Sequence, residues 1–108
     1  MAQKFDHYIN AQGQITQWPA RQQLKYAVLS YMAMQFEPQR NYTEREVNEI
    51  LQQRHTFNDY FILRRSLIEG GWLMRTRNGA QYWKSPQQPA QSELLEDYLR
   101  EKKDSPSP

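Results

Sequence analysis

Three features of the 108-residue sequence predict a mostly helical α+β domain. Apolar residues recur at helical spacing in three successive segments, around 24–36, 47–51 and 60–68. A capping-box sequence, Thr43-Glu44-Arg45-Glu46, opens the second of them. Two strand-like runs, Trp72–Thr76 and Gln81–Lys84, follow the third, and the Asn78-Gly79 pair between them is a strong hairpin signal. A long helix, a short helix, a second helix and a hairpin, in that order, describe a single winged helix-turn-helix domain with a C-terminal β-hairpin wing.

Each element has its own local warrant. Phe5, His7 and Ile9 alternate with polar residues ahead of the turn-rich stretch Asn10–Gln14, and Ile15–Trp18 follows, so a short N-terminal hairpin is expected within residues 1–17. Trp18-Pro19 opens the main domain, residues 18–84, with the proline at a natural first helical position. Leu24, Ala27, Val28 and Tyr31 form one stripe, and Leu29, Met32 and Phe36 an adjacent one. Together they are wider than a surface helix needs, which marks this helix as central or as a dimer face. It should end before Glu37-Pro38. In the second helix Thr43 and Glu46 satisfy free backbone amides, and Val47, Ile50 and Leu51 face the core. Thr56 is the expected cap of the third helix, with Asp59 in its first turn. Tyr60, Leu63 and Leu67 form its inner face, with Phe57, Phe61 and Ile68 beside them. Gly70-Gly71 ends it. Residues 85–91 read as a linker, 92–103 as an extra C-terminal helix built on Leu94, Leu95, Tyr98 and Leu99, and 104–108 as a disordered tail.

Composition narrows the function. Hydrophobic residues make up 38%, aromatics 13% and charged residues 24%. With a mean hydropathy of −1.01 the chain is polar, yet it has too many rings for a disordered one. No stretch approaches a membrane span, and the N-terminus lacks the apolar core of a secretory signal, so a cytoplasmic location is expected. The absence of cysteine excludes disulfides, thiolate zinc sites and cysteine nucleophiles. His7 and His55 have no metal-binding spacing, and no serine sits in a nucleophile elbow. The reading is therefore no enzyme, no cofactor, no metal and no evident small-molecule ligand.

The net charge of +2 is unevenly spread. Residues 54–84 hold six basic and two acidic side chains, and five of the six are arginine, whereas residues 86–108 hold three basic and five acidic. Arginine favours bidentate contacts to phosphate and bases. On a recognition helix spanning about 57–69, Asn58, Ile62, Arg65 and Ser66 fall opposite the inner face. Asn58 suits adenine and Arg65 suits guanine or phosphate in the major groove. On a wing spanning about 72–84, Arg75, Arg77, Asn78 and Lys84 would touch phosphates or the minor groove. The residues therefore point to a DNA-binding transcriptional regulator acting on double-stranded DNA, helped by homodimerisation. The alternative is a regulatory, protein-interaction or dimerisation module that does not bind DNA. In it Arg64 and Arg65 pair internally with Asp59, Glu46 or Glu49. Single-stranded RNA binding is a third class and would require exposed rings on a basic surface.

The stretch Tyr42–Asn48, then Asp59 with Leu63-Arg64-Arg65, Arg75 and Tyr82-Trp83, together with Trp18-Pro19 upstream, resembles a bacterial family known only as a domain of unknown function. The resemblance covers roughly residues 10–84. It implies a winged-helix domain found alone or behind a separate ArsR-type helix-turn-helix in transcriptional regulators, and it brings no catalytic residue or cofactor. It also implies that Asp59 and Arg64-Arg65 form an internal ion-pair network that fixes the helix, beside the Thr43–Glu46 cap that the capping-box residues themselves predict.

Overall fold

The computed structural model describes residues 4–104. Among these residues four α-helices and a small three-stranded antiparallel sheet share one core. The helices are α1 (Gln22–Ala33), α2 (Glu44–Gln53), α3 (Tyr60–Glu69) and α4 (Glu93–Asp104), and the strands are β1 (Asn41–Tyr42), β2 (Leu73–Arg75) and β3 (Tyr82–Lys84). None of these helices is long and apolar enough to cross a membrane. The disordered tail expected at 104–108 lies outside the described residues apart from Asp104, which belongs to α4.

α1 is the central element. Leu24, Ala27, Val28, Leu29, Tyr31, Met32 and Ala33 are all buried on it. Its wide apolar surface is used within the chain, because α3 packs on one side while α4 and an N-terminal 3-10 helix, Phe5–Tyr8, pack on another. Phe5 sits edge-on to Tyr98 of α4 at 5.2 Å between centroids and also meets Tyr31 at 5.8 Å. Leu95 of α4 is fully buried, and Ser92 caps that helix by accepting the Leu95 N–H.

α2 begins as its sequence dictates. Thr43 Oγ1 accepts the Glu46 N–H at 3.1 Å, and the Glu46 carboxylate accepts the Thr43 N–H at 2.8 Å. Val47 and Leu51 then meet Leu63 and Leu67 of α3 in the core. Each such fully buried aliphatic chain contributes about 1.5–3 kcal/mol. α3 ends in a Schellman motif: the Gly71 N–H bonds Ile68 O at 3.2 Å, the Trp72 N–H bonds Leu67 O at 3.0 Å, and Gly71 takes φ +89°. The hairpin follows at once. In the sheet β3 lies between β1 and β2, with Tyr42 opposite Tyr82 and Arg75 opposite Tyr82 from the other side.

Four expectations are corrected. Residues 5–8 form a 3-10 helix and not a strand; the hairpin is reduced to the Asn10–Gln14 turn, the Ile9–Ile15 bridge and the Thr16 N–H bond to the Tyr8 carbonyl at 2.9 Å. The helical turn goes with the burial of Phe5 between Tyr31 of α1 and Tyr98 of α4. Pro19 lies upstream of α1, whose cap is Arg21. α3 starts at Tyr60 and not Phe57, and its cap is Asp59, whose Oδ1 accepts the Ile62 N–H at 3.1 Å, in place of Thr56. β1 was not anticipated: two residues carry no periodicity, and only the pairing with β3 makes them a strand.

Candidate nucleic-acid interface

α3 presents three surfaces besides its buried stripe. Its crest toward solvent is Phe61, Arg65 and Glu69, spaced four residues apart so that they align along the helix. Phe61 is 56% exposed. Arg65 Nε donates to Glu69 Oε2 at 3.2 Å, and both side chains stand in solvent. Ile62 and Ser66 are half-buried on the flank toward α1, beside Trp18, Lys25 and Trp72. The Lys25 ammonium is 5.8 Å from the Trp18 ring centroid there. On the opposite flank, Arg64 and Ile68 line a groove shared with Glu44, Arg75 and Tyr82 of the neighbouring elements.

Asn58 is not on α3. It precedes the cap with φ +57°, a left-handed conformation that asparagine tolerates, so it does not share the outward face with Arg65. Phe61, placed by its periodicity beside the core, is instead on the crest. Its position four residues before Arg65 was the available signal, since i and i+4 share a face.

Arg64 and Arg65 are adjacent and differ completely. The Arg64 side chain is only 14% exposed. Its Nη1 donates to Asn48 Oδ1 and lies 3.9 Å from Glu44 Oε2. Its guanidinium also sits over the Phe61 and Tyr60 rings at 5.4 and 5.8 Å. The expected pairing of Arg64 or Arg65 with Asp59, Glu46 or Glu49 does not form, because those carboxylates are engaged elsewhere. Asp59 caps α3, Glu46 caps α2 and pairs with Arg40 at 3.7 Å, and Glu49 pairs with Arg45 at 3.1 Å. Helix packing turns Glu44 and Asn48, one turn apart on α2, toward Arg64 instead.

The hairpin residues are likewise divided between internal and external tasks. Arg75 Nη1 donates to the carbonyls of Thr76 and Arg77 at 3.4 and 3.3 Å, bracing the tip from the groove side. Asn78 Oδ1 accepts from Thr76 Oγ1 and from the Ala80 N–H, so it organises the loop. Lys84 Nζ reaches the Phe36 carbonyl at 3.4 Å and is half-buried. Arg77 stands exposed at the tip. Of the four hairpin residues predicted to meet DNA, Arg77 alone is exposed with no side-chain hydrogen bond or ion pair.

Local electrostatics follow from these contacts. Burial raises the Tyr82 phenol above its ordinary value, and the carboxylate of Glu44, which accepts the Tyr82 O–H at 2.9 Å, raises it further. The Thr43 N–H holds the Glu46 carboxyl below the usual carboxylate range. Among the described residues no group of three or more His, Asp or Glu could hold a metal ion.

The model of a family described as an uncharacterized protein conserved in bacteria (DUF2087) matches residues 14–84, the span from the Asn10–Gln14 turn to the end of β3. No curated protein and no solved structure matches the chain.

Proposed function

Because the chain belongs to the DUF2087 family of bacteria, which carries no assigned activity, we propose from its own geometry that it is a winged helix-turn-helix that binds double-stranded DNA and acts in transcription control. The element order α1–β1–α2–α3–β2–β3, with β1 closing onto the second strand of the hairpin, supports that fold assignment. In this reading α3 enters the major groove and the β2–β3 hairpin is the wing.

One observation carries it: Arg65 on the α3 crest and Arg75 on the hairpin border the same groove, with Arg77 exposed at the tip beyond it. Two elements that present arginine on either side of a groove match a duplex, whose phosphates flank the base edges. Arg65 is the side chain that reaches bases or backbone, and Arg77 reaches phosphate. Asn58, Asn78 and Lys84 serve the fold. With few free cations the isolated domain binds with modest affinity and a shallow salt dependence.

Fluorescence anisotropy with mixed-sequence duplex DNA, from low to physiological salt, tests this. Wild type should bind at low salt, and Arg77→Ala should weaken binding evenly across sequences and lower the salt slope by about 1. Absence of binding at low salt removes the reading. A second reading, a protein-docking module of a transcription regulator, is favoured by the exposed Phe61 ring and by Glu69 partly neutralising Arg65. Its surface would be the same α3 crest.

A further inference from the structure

We infer that Phe61 reads the 5-methyl group of thymine, which makes it a specificity-determining residue of the proposed interface; this rests on the DNA-binding reading. The argument begins with exposure. Phe61 is the only large apolar side chain on the α3 crest, and at 56% it is the most exposed large hydrophobic of the described residues. Its ring is supported from one side, because the half-buried Arg64 guanidinium lies 5.4 Å from the ring centroid and is itself held by Asn48 and Glu44. A cation at that distance attracts the ring face and restrains it.

The ring is also flanked by charge that suits a polyanion. Arg65 is the next residue along the crest, and Arg75 faces the same groove. The acids there, Glu44 and Glu69, are each matched to an arginine, Arg64 and Arg65, so Arg75 is the excess. With α3 in a major groove, Phe61 faces base edges. Those edges offer hydrogen-bond donors and acceptors and one apolar feature, the thymine methyl, which is the group an aromatic side chain contacts favourably. A polar edge opposite Phe61 would lose water without gaining a hydrogen bond.

Replacing thymine by uracil in an otherwise identical duplex removes only that methyl. Full-length protein should bind a mixed-sequence thymine duplex about fourfold more tightly than its uracil counterpart, the ratio expected for burying one methyl-sized group. Phe61→Ala should bind the two duplexes equally, and Phe61→Leu, which keeps an apolar contact, should retain part of the preference. Equal binding of both duplexes by wild type overturns the inference and leaves the DNA reading standing. A preference that survives intact in Phe61→Ala also overturns it, since the methyl is then sensed elsewhere or through duplex shape. Failure of wild type to bind either duplex at low salt overturns the DNA reading, and the inference with it.

Discussion

His55 accepts the backbone N–H of Asp59 through Nε2 at 2.9 Å. An amide N–H can only donate, so Nε2 carries no proton and Nδ1 does; Nδ1 accordingly donates to the Leu51 carbonyl at 2.7 Å. One buried imidazole thus joins the last turn of α2 to the cap of α3, with Phe57 packed edge-on at 4.6 Å. Ile15 pairs with the same residue from outside the helices. The ring braces the turn between α2 and α3, in which Asn58 takes a left-handed conformation and Asp59 caps α3.

His55→Ala should therefore destabilise the domain by about 1–3 kcal/mol, the cost of leaving a buried amide and a carbonyl without partners. Urea unfolding followed by circular dichroism measures it. In nitrogen-detected NMR of wild type, the Nδ1-protonated tautomer should be seen; the opposite tautomer would contradict the assignment.

The two adjacent arginines should separate in their effects. Arg64→Ala removes the partner of Asn48 and Glu44 and should cost about 1–3 kcal/mol of stability. Arg65→Ala, on an exposed i,i+4 pair, should stay within about 0.5 kcal/mol and change ligand binding instead. Measuring stability and duplex affinity for both variants tests the division. Equal destabilisation by the two would show that Arg64 is not held as described.

Much of the scaffold was legible because it rests on local chemistry. Thr43 and Glu46 cap each other within one turn, and Gly70-Gly71 closes α3 within three residues. The Asn78-Gly79 tip, in a six-residue loop braced by Thr76 and Asn78, is equally local. What the sequence did not disclose depends on partners distant in the chain. β1 exists only through Trp83 and Tyr82, Phe5 is turned inward by Tyr31 and Tyr98, and Lys84 is drawn to Phe36. The candidate site suffered most, because an arginine's type does not reveal whether a carboxylate on another helix will claim it. Helical phase turned Arg65 outward and Arg64 toward Phe61 and Ile68, but it could not name Asn48 and Glu44 as the partners of Arg64.

The two glycines closing α3 should respond differently to alanine. Gly71 has open space around it but a φ of +89°, so Gly71→Ala should cost about 1–2 kcal/mol through backbone strain alone. Gly70 has an ordinary helical φ of −83°, but a Cβ there would come within 2.6 Å of Trp72 Cε3. Gly70→Ala should cost about 1–3 kcal/mol by displacing that buried indole. Trp72 fluorescence should shift in Gly70→Ala and stay unchanged in Gly71→Ala.

Stability should fall at both ends of the pH scale for identifiable reasons. The Glu46 carboxyl is held low, first by the Thr43 N–H, so its contribution is present above the unfolded carboxylate value and is lost as pH falls through the folded one. Tyr31, Tyr82 and Tyr98 have phenols raised above 10.0, in each case chiefly by burial. Their contribution is complete below that value and disappears as pH rises through the folded ones. Urea midpoints across pH should show a smaller acid loss in Glu46→Gln and a smaller alkaline loss in Tyr31→Phe.

Glu44 touches both walls of the groove at once. One carboxylate oxygen accepts the Tyr82 hydroxyl of the hairpin, and the other faces Arg64 of α3. The carboxylate is thus a spacer between helix and hairpin. Helix and hairpin are therefore held at a preset separation. In the DNA-binding reading this fixed spacing leaves little ordering cost to the moment of contact.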